Sequence, residues 1–206
     1  MIPKVIHTCW FGKNEKPDLI KMCEESVHRN CPDFEIKEWN EDNWDINKYR
    51  YAKDAYEQGK WAFVADCARI DILQQYGGIT LDSDIEVIKQ FSDDLLLNRG
   101  FTSRESSGRW ISAVIASDIN HAWIRQILKY YKTNPFEYNP AKITNTVIID
   151  DINQSLYSHT ENNIIYLRKN VAIYPREYFE AKNWSNGKID VTSNTYTIHH
   201  YTGSWL

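Results

Sequence analysis

Two hydrophobic periods alternate along the first ninety positions. Pro3 to Gly12 (Pro-Lys-Val-Ile-His-Thr-Cys-Trp-Phe-Gly) predicts a first strand ending in a glycine loop. Asp18 to Arg29 predicts a helix with Pro17 at its start, Phe34 to Trp39 a second strand, and Lys48 to Gln58 another helix. Trp61 to Tyr76 holds no Pro or Gly and predicts a helix closed by Gly77 in a left-handed cap. At helical spacing Asp71, Gln74 and Gln75 share one side of it. Ala62, Phe63, Ile70, Leu73 and Tyr76 lie away from that strip, so the helix is expected to be largely buried. A short apolar strand follows, Ile79 to Leu81. Strand and helix in alternation predict a mostly parallel α/β sheet.

The pattern changes after Val87. Lys89 to Gly108 is polar and reads as loop, a place for substrate-contacting segments. Trp110 to Ala116 predicts a strand, His121 to Lys132 a helix, and Asn134 to Lys142, with two prolines, a loop. Asn145 to Ser155 reads as helix, Ile164 to Leu167 and Ala172 to Tyr174 as short strands, and the stretch from Thr195 as strand and then loop. No repeat or linker interrupts the 206 residues, which favours one domain with a real core. Within it, 1–90 forms one half and 91–206 the other.

Composition narrows the class. A net charge of −4 offers no electrostatic footprint for nucleic acid. Cys9, Cys23, Cys31 and Cys67 lack a CxxC or metal-ligand spacing, which predicts buried, reduced thiols and a cytoplasmic setting. No 18-residue apolar run predicts a membrane span or a secretory leader. GxGxxG and GxxxxGK[ST] are both absent, so a phosphate ligand needs a metal in place of a glycine cradle.

The chemistry concentrates at Tyr76-Gly-Gly-Ile-Thr-Leu-Asp82-Ser-Asp84-Ile-Glu-Val87. On an extended chain Asp82 and Asp84 point to the same side. Converging carboxylates need a cation or a hydrogen-bond network, and a hard divalent ion suits them. A solvated Asp-Ser-Asp turn is the other reading. Asp66 and Arg69, one turn apart on the preceding helix, lie opposite its polar strip. Buried there, they form either a packing salt bridge or a pair facing a polar ligand. Trp10, at the carboxyl end of the first strand, is either core or a wall of a ligand crevice. His199 and His200 are adjacent on a strand and face opposite sides, so only one can meet a given metal.

Together Ile2-Pro-Lys-Val-Ile-His-Thr-Cys-Trp-Phe-Gly12, Phe63-Val-Ala-Asp66-Cys-Ala-Arg69, the Asp82-Ser-Asp84 stretch, Tyr174-Pro-Arg-Glu-Tyr-Phe179 and His199-His-Tyr-Thr-Gly-Ser-Trp205 resemble the DxD-containing sugar transferases of bacterial capsule and surface-polysaccharide synthesis. That group includes fungal Golgi mannosyltransferases and is related more distantly to the glucosylating toxins of clostridia. The resemblance implies a single GT-A type α/β domain around a central mixed sheet, a manganese or magnesium ion, a nucleotide diphosphate sugar donor, and retention of anomeric configuration. It implies that Asp82 and Asp84 bind the metal, with Asp82 also meeting the donor, and that Asp66 and Arg69 contact the donor sugar. Trp10 stacks on the base, with Thr8 beside it. His200, in a His-x-x-Gly, is the implied third metal ligand, and Ser204 and Trp205 close over the diphosphate. The half before residue 90 takes the donor; the later half takes a glycan or lipid-linked glycan acceptor, with peripheral contact at the inner membrane face. UDP-glucose or UDP-galactose is the expected donor, with GDP-mannose next. The rival readings are a non-catalytic carbohydrate-binding protein and a DxD phosphohydrolase. The latter is opposed by Glu86 standing where those enzymes have Thr or Val.

Overall fold

The structure is a computed structural model that describes residues 1–111, 113–138 and 145–203. Its strands are β1 (Val5–Cys9), β2 (Glu35–Trp39), β3 (Gly78–Leu81), β4 (Ile85–Val87), β5 (Gly100–Ser103), β6 (Val114–Ser117), β7 (Tyr157–Glu161), β8 (Ile164–Leu167), β9 (Val171–Tyr174) and β10 (Thr197–His199). Its helices are α1 (Asp18–Asn30), α2 (Arg50–Glu57), α3 (Trp61–Tyr76), α4 (Asp93–Leu96), α5 (Ala122–Thr133) and α6 (Asn145–Ser155).

Eight strands form one mixed sheet in the order β2-β1-β3-β6-β5-β9-β8-β7, and β4 pairs with β10 in a separate antiparallel ribbon. The expected parallel arrangement holds for β2-β1-β3 and for β5 with β9; the other pairings are antiparallel. Both halves of the chain contribute strands to this sheet. Side-chain alternation then divides the core. On β6, Ile115 joins the cluster beneath α2, α3 and α5, while Val114 and Ala116 join the cluster with Phe91 and Phe179.

α3 is the helix the sequence predicts. Gly77 closes it with φ +64°, its N–H bonded to Leu73 O at 3.0 Å. Gly78 then lets β3 lie against β1: with φ +96°, a Cβ there would stand 2.6 Å from Val5 O. The polar strip of α3 is divided: Gln75 is exposed and Gln74 half-buried, but Asp71 lies inside. Asp71 is buried and accepts from Trp44 Nε1 (3.0 Å), Lys48 Nζ (2.6 Å), Tyr49 OH (2.7 Å) and Gln75 Nε2 (2.8 Å). It fastens the segment before α2 to α3, and Tyr76, placed with the apolar side by the sequence, is exposed.

Two strands escape the sequence pattern. β5 lies inside the stretch read as loop, yet it is a central strand between β6 and β9. All four of its residues are buried, so it has no polar-apolar alternation, and Thr102 is satisfied by bonding Val114 O at 2.8 Å. β7 is exposed along its whole length. It is joined to β8 by Asn162 and Asn163, both at positive φ, the geometry of a tight hairpin. Ile46–Lys48 is a 3-10 turn, so α2 begins later than expected. The four cysteines are buried and unpaired. Among the described residues no helix is long and apolar enough to cross a membrane.

Candidate active site

β1 and β3 run parallel with His7 level with Thr80, so the residues following Cys9 and Leu81 leave the sheet at the same edge. Trp10 emerges there from β1, half-buried. Its backbone N–H donates to Trp39 O and its indole N–H to Asn14 O. Thr8, also half-buried, sits in β1 opposite Glu38 of β2.

Asp82 and Asp84 leave β3 at that edge, but not as an extended strand. Ile85 N–H bonds back to Asp82 O at 3.1 Å, closing a turn between β3 and β4. The turn reading is realised, and the carboxylates converge because the chain turns. The ribbon behind them is anchored by α1, where Ser26 Oγ accepts from Val87 N (2.8 Å) and Asn30 donates to Val87 O (2.8 Å).

Register across the ribbon sets His199 opposite Ile85, beside Asp84. His199 Nε2 lies 3.3 Å from Asp84 Oδ1, and Asp82, Asp84 and His199 each offer a ligand atom within 4.8 Å of the others. His200, the expected ligand, is turned away and meets Glu86 Oε2 at 2.9 Å. The cause is strand alternation: on β10 and just past its end, neighbouring side chains face opposite ways. Asp84 is further held by Thr202, whose N–H (2.8 Å) and Oγ1 (3.0 Å) both donate to Oδ2. Ser204 and Trp205 lie outside the described residues.

Arg69 is buried on α3 and joins the helix to the turn. It bonds Asp66 Oδ1 at 2.7 Å and pairs with Asp82 Oδ1. The packing bridge between Asp66 and Arg69 is present, and it continues into the acidic turn.

The electrostatics describe a site short of positive charge. Burial pushes Asp82 up to about 6, against the pull of Arg69 and His199. Burial also opposes ionisation of Asp84, but His199 and Thr202 outweigh it and hold its carboxyl below the usual range. His199 reaches about 10: burial disfavours its charge, but Asp84 and Glu180 favour it more strongly.

Glu180 was not legible as a site residue. It is fully buried behind His199; its Oε2 accepts from Tyr201 OH at 2.8 Å. Its Oε1 and His199 Nδ1 are 3.7 Å apart, and neither has a hydrogen-bond partner among the described residues. Glu105 stands close enough to feel Glu180, His199 and Asp82, and burial raises its carboxyl. No local spacing announces either residue; tertiary packing alone brings them here.

The architecture is similar to that of the PaToxG glycosyltransferase (TM-score 0.60, 18% identity, covering 75% of this chain and 68% of that one). It is also similar to a glycosyltransferase involved in glycosylation of the major capsid of PBCV-1 (TM-score 0.51, 9% identity, 98% and 96% covered). These likenesses define the class of fold, the GT-A type. The chain belongs to the family of capsular polysaccharide synthesis proteins, whose model matches residues 1–179. Curated relatives include the uncharacterized glycosyltransferase L373 of Acanthamoeba polyphaga mimivirus, 26% identical over all of this chain and 84% of its own length. Inositol phosphoceramide mannosyltransferase 3 of Schizosaccharomyces pombe is 27% identical over 69% of this chain and 41% of its own length.

Proposed function

We propose that this chain is a metal-dependent retaining glycosyltransferase. It moves a hexose from a nucleotide diphosphate sugar to a glycan or lipid-linked glycan acceptor in surface-polysaccharide synthesis. The convergence of Asp82, Asp84 and His199 beside the Arg69–Asp66 pair carries this reading.

The donor set fits the implied ion. Two carboxylates suit a hard divalent cation, and the added imidazole favours manganese over magnesium. His199 Nε2 and the carboxylates of Asp82 and Asp84 would hold it. A bound divalent ion supplies positive charge to the diphosphate as it leaves. Arg69 and Asp66 orient sugar hydroxyls, the guanidinium donating and the carboxylate accepting. Trp10, with Thr8 beside it, forms the nucleotide side. Ser204 and Trp205 are the proposed closure over the diphosphate.

In same-face attack an acceptor hydroxyl oxygen bonds to the anomeric carbon while the carbon–oxygen bond to the diphosphate breaks. The electron pair departs with the diphosphate, and the hydroxyl proton passes to the leaving phosphate oxygen. This route needs no protein nucleophile. UDP-glucose and UDP-galactose head the donor panel; the name of the fission-yeast relative keeps GDP-mannose in it.

The deciding experiment incubates the protein with each donor and manganese and measures nucleoside diphosphate release. Release for one donor, abolished by EDTA and restored by manganese, is expected. Binding of free glycans without metal-dependent binding of the nucleotide would instead mark a carbohydrate-binding protein.

A further inference from the structure

A polar cleft of about 330 Å³ opens beside the acidic turn, with Arg104, Glu105 and Ser106 on one side and Asn163, Arg176 and Glu177 among the rest of its wall. It borders the proposed donor site through Glu180. The Glu180 N–H bonds Arg176 O at 2.8 Å, and Arg176 donates back to Glu180 O at 2.9 Å, so the buried Glu180 backbone sits behind this lining residue. Its side chain reaches toward His199 and leaves Oε1 buried without a hydrogen-bond partner.

We propose that this cleft is the acceptor subsite and takes a polyhydroxylated sugar end. The inference rests on the glycosyltransferase reading above and adds the substrate chemistry of its second site. Three observations support it. First, Arg104, Glu105, Ser106, Asn163, Arg176 and Glu177 line the cleft, so its wall presents both hydrogen-bond donors and acceptors. Sugar hydroxyls both donate and accept, and they match walls that alternate donors with acceptors. Second, the walls are prearranged. Arg104 is fixed by bonds to the backbone and side-chain oxygens of Asn163, both at 2.8 Å, and its N–H donates to Tyr174 O at 2.9 Å. A rigid cation of this kind loses little freedom when a ligand arrives.

Third, an aromatic platform adjoins the cleft. Trp184 follows the lining residue Asn183, and its backbone N–H reaches Ser106 Oγ at 3.4 Å. Its side chain is 67% exposed, too much for a core role. An indole kept in water beside a polar cleft suits the apolar face of a hexose ring.

The test uses the full chain and two independent readouts. The first is the Trp184 indole N–H resonance, assigned with Trp184→Phe, during titration with methyl α- and β-hexopyranosides. A saturable shift with at least one of them is expected; no shift with any of them overturns the proposal. The second compares Trp184→Ala with the native protein in donor hydrolysis and in transfer to the glycoside that binds. The expected result is about a tenfold rise in KM for the glycoside, the scale of one lost stacking contact, with hydrolysis unchanged. Equal losses of hydrolysis and transfer overturn it. Should the native protein hydrolyse no donor while a glycoside still shifts the resonance, the transferase reading falls and the saccharide site stands.

Discussion

His199 Nε2 lies 3.3 Å from Asp84 Oδ1 because β10 lies antiparallel to β4 and sets His199 opposite Ile85. His200, one residue later, pairs with Glu86 on the other side. The two histidines should therefore answer differently to substitution. His199→Ala is expected to weaken manganese binding about 10- to 100-fold or more, read by calorimetry with a nucleoside diphosphate present. His200→Ala should leave metal affinity essentially unchanged and lower stability by about 1 kcal/mol or less, since it removes a partly exposed pair. The reverse ranking would return the ligand role to His200.

Asp84 should be indispensable to turnover but not to folding. Asp84→Asn keeps an oxygen for Thr202 and loses the charge that the site concentrates. Donor hydrolysis is expected to fall at least about a hundredfold, as on losing a principal electrostatic group. Circular dichroism and the urea midpoint should show a folded protein. Turnover at the native rate would falsify the metal assignment.

Arg69 serves packing and site together, and two variants separate these roles. Arg69→Met leaves Asp66 and Asp82 without their buried partner and should cost about 3–5 kcal/mol in urea unfolding. Arg69→Lys restores the charge as a single point without the planar fork. It is expected to recover part of the stability while donor turnover stays low. Recovery of both in parallel would leave Arg69 a structural residue only.

Stability should fall in mild acid because of His7. Its ring is buried, Nε2–H donates to Gly77 O (2.9 Å), and Nδ1 accepts from Trp39 Nε1 (3.1 Å), which uses both nitrogens of the neutral form. Burial pushes its pKa down from 6.5 to about 4, with Gly77 opposing. A depressed histidine binds its proton in the unfolded chain first. Its contribution is intact above pH 6.5 and is lost as pH falls toward about 4, reaching about 3 kcal/mol. Urea midpoints measured across this window should decline less steeply in His7→Gln than in the native protein; equal slopes would assign the decline to other groups.

Gly78→Ala should be among the most damaging small substitutions. The new methyl would stand 2.6 Å from Val5 O at a φ of +96° that alanine disfavours. A loss of about 3 kcal/mol is expected from the clash and the backbone strain together. Thermal unfolding checks it, and a native-like Tm would mean that β3 can move off β1 freely.

Much of this molecule could be read without coordinates, for local reasons. α3 declares itself by sixteen residues without a breaker and by the glycine that ends it. Asp82 and Asp84 announce a candidate site by their spacing, and Asp66 and Arg69 announce their ion pair by lying one helical turn apart. Ordered short motifs were enough to suggest the family whose model matches residues 1–179. Periodicity, caps and spacing are properties of neighbours in the chain, so the sequence alone determined those features. What depends on distant segments was decided only by the tertiary structure. β5 is covered on both faces and has no alternating pattern to betray its central place. Asp71 stood in the polar strip of its helix, and only the segment before α2, closing over it, buried it. The choice between two adjacent histidines rested on the register of one ribbon, and Glu180 reached the site through packing that no local spacing encodes. Strand register and burial arise from contacts between residues far apart in sequence, and those form only when the whole chain packs.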